Sequence, residues 1–339
     1  MSGKGRPTVM IKTVDYHTAG EPFRIVANPP IDIAGSAVAD RRASAIASPE
    51  VDGLRRLLCF EPRGHADMYG GFLVPPDDDG ADLGVLFWHK DGFSTACGHG
   101  TMALGVWAVE SGLIRPAEAG PTEVVIDVPS GRVRASVHTD AEGAVTAVDF
   151  VNVPSRLVAS GVTVETSQGP VEVDLAWGGA LYACVEDSGI DVTPDRLGEL
   201  IAFGREVKAG LRGHPLTVHP DDERLSGVYG TIVVDRLGTT SAGELHQRNV
   251  TIFADGQVDR SPCGSGTAAR VAALHATGEL GDGQRLVHES IVGTRFTARV
   301  LDVTDDGVVP VVTGTAHQVA ESSFTVDPKD DLVPGFVLR

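Results

Sequence analysis

The chain has 339 residues, 42% hydrophobic and 22% charged, with a formal net charge of −18. That length accommodates two domains with substantial cores, the composition is that of an ordinary folded protein, and the acidity argues against nucleic acid or an anionic membrane surface as partner. No apolar run reaches the roughly 20 residues needed to span a bilayer. The first eight residues lack the apolar core of a signal peptide, so a cytoplasmic protein is expected.

Short apolar or alternating runs predict strands at Val9–Val14, Gly84–Trp88, Glu123–Val128, Val133–Val137 and Val145–Val151. Others follow at Val171–Leu175, Leu181–Val185, Gly230–Val234, Asn249–Phe253, Thr297–Val303 and Val308–Gly314. Helices are fewer. One lies within Ala39–Leu58, and Thr101–Ser111 ends near Gly112. Thr193–Lys208 is a third, and Gly266–Thr277 stops at Gly278, a residue suited to a C-terminal cap. Pro75–Gly80 and His219–Glu223 read as exposed polar loops. The domain boundary is expected near Val153-Pro154-Ser155. That gives an N-terminal domain over 1–154 and a C-terminal domain over 155–317, with the tail from about 318 to 339 returning to the first.

Two segments of the chain read almost alike. Ala96-Cys97-Gly98-His99-Gly100-Thr101-Met102-Ala103 and Pro262-Cys263-Gly264-Ser265-Gly266-Thr267-Ala268-Ala269 share the pattern Cys-Gly-x-Gly-Thr-x-Ala, one copy in each half. In each, glycines that permit a tight backbone entry lead into helix formers. The first turn of a helix has free N–H groups and a partial positive charge. A thiolate there is stabilised, so the cysteine pKa is expected to fall toward neutrality. The same N–H groups bind anions such as a carboxylate. Two facing copies would supply two acid–base groups and a complete anion cradle.

The plainer readings of these cysteines are weaker. A structural disulfide is disfavoured in a chain of four cysteines without a secretory signal. Neither Cys-x-x-Cys nor His-Glu-x-x-His occurs, so no metal site is expected. Cys59 and Cys184, in apolar stretches, read as core residues.

Other polar clusters stand beside these motifs. Asp259, four residues before Cys263, reads equally well as acceptor for a substrate ammonium or as a turn residue opening the helix. His99 either orients the first thiol, touches substrate, or is a partly buried turn residue. The Asp15–Pro22 and Pro62–Gly71 runs are dense in polar residues after apolar ones, as functional loops are, though most such loops are only solvated. Arg63, His65 and Asp67 could form an internal network.

Together, His17-Thr18-Ala19-Gly20-Glu21-Pro22, the Pro62–Gly70 run, Cys97-Gly98-His99-Gly100 and Asp259-Arg260-Ser261-Pro262-Cys263-Gly264 resemble the proline racemase family. That family includes proline racemases, 4-hydroxyproline 2-epimerases and trans-3-hydroxyproline dehydratases. The resemblance implies the diaminopimelate epimerase-like α/β fold: two similar domains, each a curved mixed sheet around a central helix, with the active site in the cleft between them. It implies Cys97 and Cys263 as the two acid–base groups on opposite faces of the substrate α-carbon. The amides of Gly98, His99, Gly264 and Ser265 would hold the carboxylate, and Asp259 and His99 the ring nitrogen. No cofactor is implied, neither pyridoxal phosphate nor metal. The oligomeric state is not legible in the sequence, though members of the family are usually dimers.

Both cysteines are present, whereas dehydratases of the family often carry Ser or Thr at one of them. This ranks inversion of proline or hydroxyproline first and dehydration of trans-3-hydroxy-L-proline second. Motif alignment puts Tyr69, Phe87 and Phe253 at the aromatic pocket wall, with Ser94 adding a hydroxyl beside Tyr69. Phe93–Cys97 nevertheless resembles a segment seen in some dehydratases. A catalytically silent amino-acid-binding relative is a third reading. Diaminopimelate epimerase itself is disfavoured, because the His17–Pro22 and Pro62–Gly70 motifs speak against it and no basic site for a second carboxylate is evident.

Overall fold

The structure is a computed structural model describing residues 10–327 and 329–338. Val9, the first residue of the first predicted strand, lies outside the described residues, as do the eight residues before it. The chain begins with β1 (Met10–Thr18), β2 (Glu21–Val26), α1 (Val38–Ala47), α2 (Pro49–Cys59), β3 (Gly70–Val74), β4 (Leu83–His89), β5 (Gly92–Phe93) and α3 (Gly98–Glu110). Next come β6 (Thr122–Val128), β7 (Gly131–Thr139), β8 (Val145–Val151), β9 (Arg156–Thr166), β10 (Gly169–Trp177), β11 (Leu181–Val185) and α4 (Leu197–Gly210). The remainder is β12 (Val228–Thr239), β13 (Leu245–Phe253), β14 (Gln257–Val258), α5 (Gly264–Ala276), β15 (Leu286–Ser290), β16 (Arg295–Thr304), β17 (Gly307–Gly314) and β18 (Ala316–Thr325).

The pairing repeats. One row runs β18-β1-β2-β3-β4-β6-β7-β8, with β2·β3 and β4·β6 parallel. The other runs β9-β10-β11-β12-β13-β15-β16-β17, with β11·β12 and β13·β15 parallel. Each parallel pair needs a crossover, and each crossover carries helix: α1 and α2, then α3, then α4, then α5. β18 occupies in the first row the place of β9 in the second, so the end of the chain completes the sheet that its beginning opened. Hydrogen bonds between β8 and β17 join the rows.

Helix α3 packs against β1, β2, β6, β7, β8 and β18, and α5 against β9, β10, β11, β16 and β17. Both are central, as expected of this fold class. Residues Gly98 to Val109 of α3 are all buried, the pattern of a helix enclosed on every side.

Some predicted elements shift. Ala39–Leu58 holds two helices, because Ser48 before Pro49 is driven to an extended conformation; Ser48 then caps α2 by accepting from the Val51 amide. The first turn of the Thr193–Lys208 helix is a 3₁₀ turn, and α4 starts at Leu197. Helices α3 and α5 begin earlier than expected, at Gly98 and Gly264, since tertiary packing overrides the low helix propensity of glycine. Gly112 and Gly278, at φ 75° and 78°, stop them as predicted.

Candidate active site

The two Cys-Gly motifs occupy equivalent places. Cys97 follows the β4–β5 hairpin and caps α3; Cys263 follows the β13–β14 hairpin and caps α5. The helices meet at their N-termini. A Cβ added to Gly98 would lie 2.6 Å from the Gly264 Cα, and the reverse holds. The second glycines have another task. A Cβ on Gly100 would sit 2.8 Å from the Cys97 Sγ, and one on Gly266 would sit 2.9 Å from the Cys263 Sγ. Thus the first glycine of each motif lets the helix ends approach and the second leaves room for the thiol. The two cysteines differ in backbone: Cys97 is extended at φ −159°, whereas Cys263 is left-handed at φ 64°, a strained conformation of the kind found at functional sites.

A small cavity, of about 10 Å³, lies between the helix ends. Of the residues singled out by sequence, Cys97, Gly98, His99, Asp259, Cys263, Gly264, Ser265, Tyr69 and Phe253 line it. Two do not. Ser94 stands behind the wall, hydrogen-bonded to the Tyr69 hydroxyl. Phe87 is wholly buried in the core, 6.0 Å edge-on from Phe23; its side of β4 faces the packing beneath the cavity. Ala96, in the Phe93–Cys97 segment, lines it too, and two lining residues escaped sequence reasoning, Tyr182 and Tyr229. The cavity thereby holds three of the chain's 4 tyrosines, yet nothing near Tyr182 or Tyr229 in sequence marks them. The Tyr182 hydroxyl lies 2.7 Å from the Ser265 Oγ, and the Tyr69 and Tyr229 hydroxyls are 3.1 Å apart. Tyr229 also borders a larger cavity of about 750 Å³, beside His89 and Lys208.

The thiols do not show the fall in pKa expected from helix N-termini. Burial pushes both above the ordinary range. The Gly100 amide, 3.2 Å from the Cys97 Sγ, opposes that rise at Cys97 and the Gly266 amide opposes it at Cys263, while the Asp259 charge adds to it at both. In this closed cavity desolvation outweighs the helix ends. Cys263 donates toward the Tyr182 hydroxyl at 3.8 Å. The His99 ring nitrogens lie 3.4 and 3.6 Å from the Cys97 Sγ, and burial lowers the ring's pKa to about 3, so it is neutral. Asp259 is raised by burial to about 6, against hydrogen bonds from Ser261. Its Oδ1 accepts from the Ser261 amide at 2.8 Å and hydroxyl at 2.7 Å. Asp259 is thus a turn residue and a cavity residue at once.

The His65 ring accepts from the Asp67 amide, Arg63 donates to the Pro334 carbonyl, and Asp67 pairs with Arg260 at 2.8 Å. Cys59 and Cys184 are core residues, and the four cysteines are free thiols. Among the described residues no cluster suited to a metal ion occurs, and no helix is long and apolar enough to cross a membrane.

The model of the proline racemase family matches residues 13–337. The chain belongs to the proline racemase family. It is 44% identical to a trans-3-hydroxy-L-proline dehydratase of Burkholderia cenocepacia, over 97% of this chain and 98% of that protein. It is 43% identical to a 3-hydroxyproline 2-epimerase of Burkholderia multivorans, with coverage of 97% and 98%. A hydroxyproline epimerase from Agrobacterium vitis, solved with bound trans-4-hydroxy-L-proline, superposes with a TM-score of 0.90 at 29% identity, over 98% and 96% of the two chains. A PhzF-family protein of Bacillus anthracis, 14% identical with a TM-score of 0.57, shares the fold alone.

Proposed function

We propose that this enzyme dehydrates trans-3-hydroxy-L-proline, with inversion at the α-carbon as the second reading. The order reverses the one drawn from the sequence. The observation that carries it is end-to-end similarity, at 40–44% identity, to proteins of that name from Burkholderia, Azospirillum, Bacillus and Xenopus. Retention of both cysteines was the reason for preferring inversion, and it does not oppose elimination.

The chemistry needs one base and one acid. In the trans isomer the 3-hydroxyl lies opposite the carboxylate, so it shares a ring face with the α-hydrogen. A single thiol on that face serves twice. As thiolate it takes the α-proton; the C–H electron pair becomes the C2=C3 bond while the C3–O bond breaks. As thiol it then gives that proton to the departing hydroxide, which leaves as water. The enamine takes a proton from water at C3 and loses one from nitrogen, giving the cyclic imine.

Cys97 is assigned as this base. Both thiols feel the Asp259 charge, which disfavours a second anion, and an amide that opposes it; at Cys97 the Gly100 amide, 3.2 Å from Sγ, is the largest influence after burial, whereas at Cys263 the Asp259 charge is. Cys263 is the acid on the opposite face, available for inversion when no hydroxyl can leave. The amides at the starts of α3 and α5 receive the carboxylate and stabilise the charge that develops on it. Asp259 and the neutral His99 meet the ring nitrogen, and Tyr69 and Phe253 wall the ring.

Proton NMR of the reduced enzyme in D2O, with L-proline, trans-4-hydroxy-L-proline and trans-3-hydroxy-L-proline tested separately and products resolved by chirality, tests the reading. Loss of the 3-hydroxyl with formation of the imine supports it. Deuterium at an inverted α-carbon with the hydroxyl retained replaces it by the second reading. No change with any of the three returns the chain to an amino-acid-binding role.

A further inference from the structure

The His17–Pro22 motif contributes no residue to the cavity lining, yet it touches both sides of the site. The β1–β2 turn runs through Ala19 and Gly20, both left-handed, at φ 51° and 97°. The Thr18 hydroxyl donates to the His99 carbonyl at 2.9 Å, at the start of α3. The Ala19 carbonyl accepts from the Thr294 hydroxyl at 2.8 Å, and the Glu21 Oε2 accepts from the Arg260 amide at 2.8 Å. The turn therefore ties the start of α3 to the segment that carries Asp259.

We infer that Glu21 is a positioning residue of this site, an uncharged carboxyl that fixes the Asp259–Arg260 backbone against the β1–β2 turn. Glu21 is fully buried, and its Oε1 has no hydrogen-bond partner. No cation among the described residues pairs with it: the neighbouring Arg260 guanidinium is turned to Asp67 and to the Val258 carbonyl. The Asp259 charge, of the same sign, acts on it more strongly than the opposing Arg260 charge. A buried carboxylate with one amide donor and a like charge beside it is costly, so the group keeps its proton. Burial and the Asp259 charge both raise its pKa, in accord with this geometry. A neutral acid here lets Asp259 alone carry the charge that meets the substrate's ring ammonium. This role rests on the assignment of Asp259 under the proposed function.

The test is kinetics and infrared spectroscopy of the wild type, Glu21→Ala and Glu21→Gln. On whichever imino acid exchanges its α-hydrogen in D2O, Glu21→Ala raises KM by about 10-fold or more with a smaller fall in kcat, and Glu21→Gln restores KM to within about 3-fold. An unchanged KM in Glu21→Ala overturns the positioning role. A Glu21→Gln variant as impaired as Glu21→Ala overturns the uncharged carboxyl. Should Glu21→Ala not fold, Thr294→Val, which removes the anchor of the Ala19 carbonyl, is expected to raise KM in the same sense, and an unchanged value counts against the clasp. Exchange without loss of hydroxyl would sink the dehydratase reading and leave this comparison intact. The infrared spectrum at pH 7 needs no substrate: a protonated-carboxyl band present in the wild type and missing in Glu21→Gln is expected, and its absence from the wild type overturns the inference.

Discussion

Gly98 and Gly264 face each other across the site, so close that a Cβ on either would meet the other's Cα at 2.6 Å. The obstacle is backbone on both sides, which has no rotamer by which to yield. Under the proposed function the amides that follow these glycines receive the substrate carboxylate from two sides, so the approach of the helix ends would set the width of that cradle. Gly98→Ala or Gly264→Ala must push α3 and α5 apart. Each should destabilise the fold by about 1–3 kcal/mol through overpacking and lower kcat/KM by about 100-fold or more through misplacement of the cradle. Urea denaturation and steady-state kinetics read the two effects, and a variant with wild-type kinetics would show that the helix ends need not touch.

The cysteines should separate the reactions. Cys97→Ser is expected to abolish dehydration, by about 1,000-fold or more, since it removes the assigned base. Cys263→Ser should retain dehydration within about 10-fold while losing inversion, which needs an acid on the other face. Product analysis by NMR distinguishes them. Equal collapse of dehydration in both variants would mean that elimination uses both thiols.

Asp259 links activity to stability in opposite directions. Its pKa is held by burial at about 6, above the ordinary 3.8, so the folded protein favours the neutral acid. That contribution to stability is complete below about pH 4 and is lost as pH rises through about 6. Asp259→Asn, neutral throughout, should therefore be more stable than the wild type at pH 8, by on the order of 3 kcal/mol, with no comparable gain at pH 4. Activity moves the other way: kcat/KM of the wild type rises through about pH 6 as the carboxylate forms, and the Asn variant loses it. Denaturation at the two pH values decides the point, and an equal gain at both would place the effect elsewhere.

Tyr182 reaches both Ser265 and Cys263 by hydrogen bond. Tyr182→Phe strips a partner from the buried Ser265 hydroxyl and should cost about 1–2 kcal/mol of stability. With Cys263 no longer held by that hydroxyl, inversion should fall about 10-fold while dehydration changes less. A parallel loss of both reactions would tie Tyr182 to the shared α-proton step instead.

The sequence by itself determined the repeated frame of this protein. Cys-Gly-x-Gly marked both central helices, though not their first residues, because only glycine tolerates the 2.6 Å approach at its first position and leaves the thiol its space at the next. Apolar runs located the buried strands, since a strand enclosed on both faces must be apolar throughout. Edge and partly polar strands escaped: β18 alternates exposed residues along its length and declares itself only by pairing with β1 at the far end of the chain. The site divides in the same way. Residues adjacent to the cysteines were legible, because the motif carries them. Tyr182, Tyr229 and the clasp at Glu21 were not, because they lie in distant segments that only the closure of two curved sheets on one another brings together. Desolvation is likewise decided by tertiary structure: a helix N-terminus in isolation lowers a thiol's pKa, and the cavity that surrounds it reverses the sign.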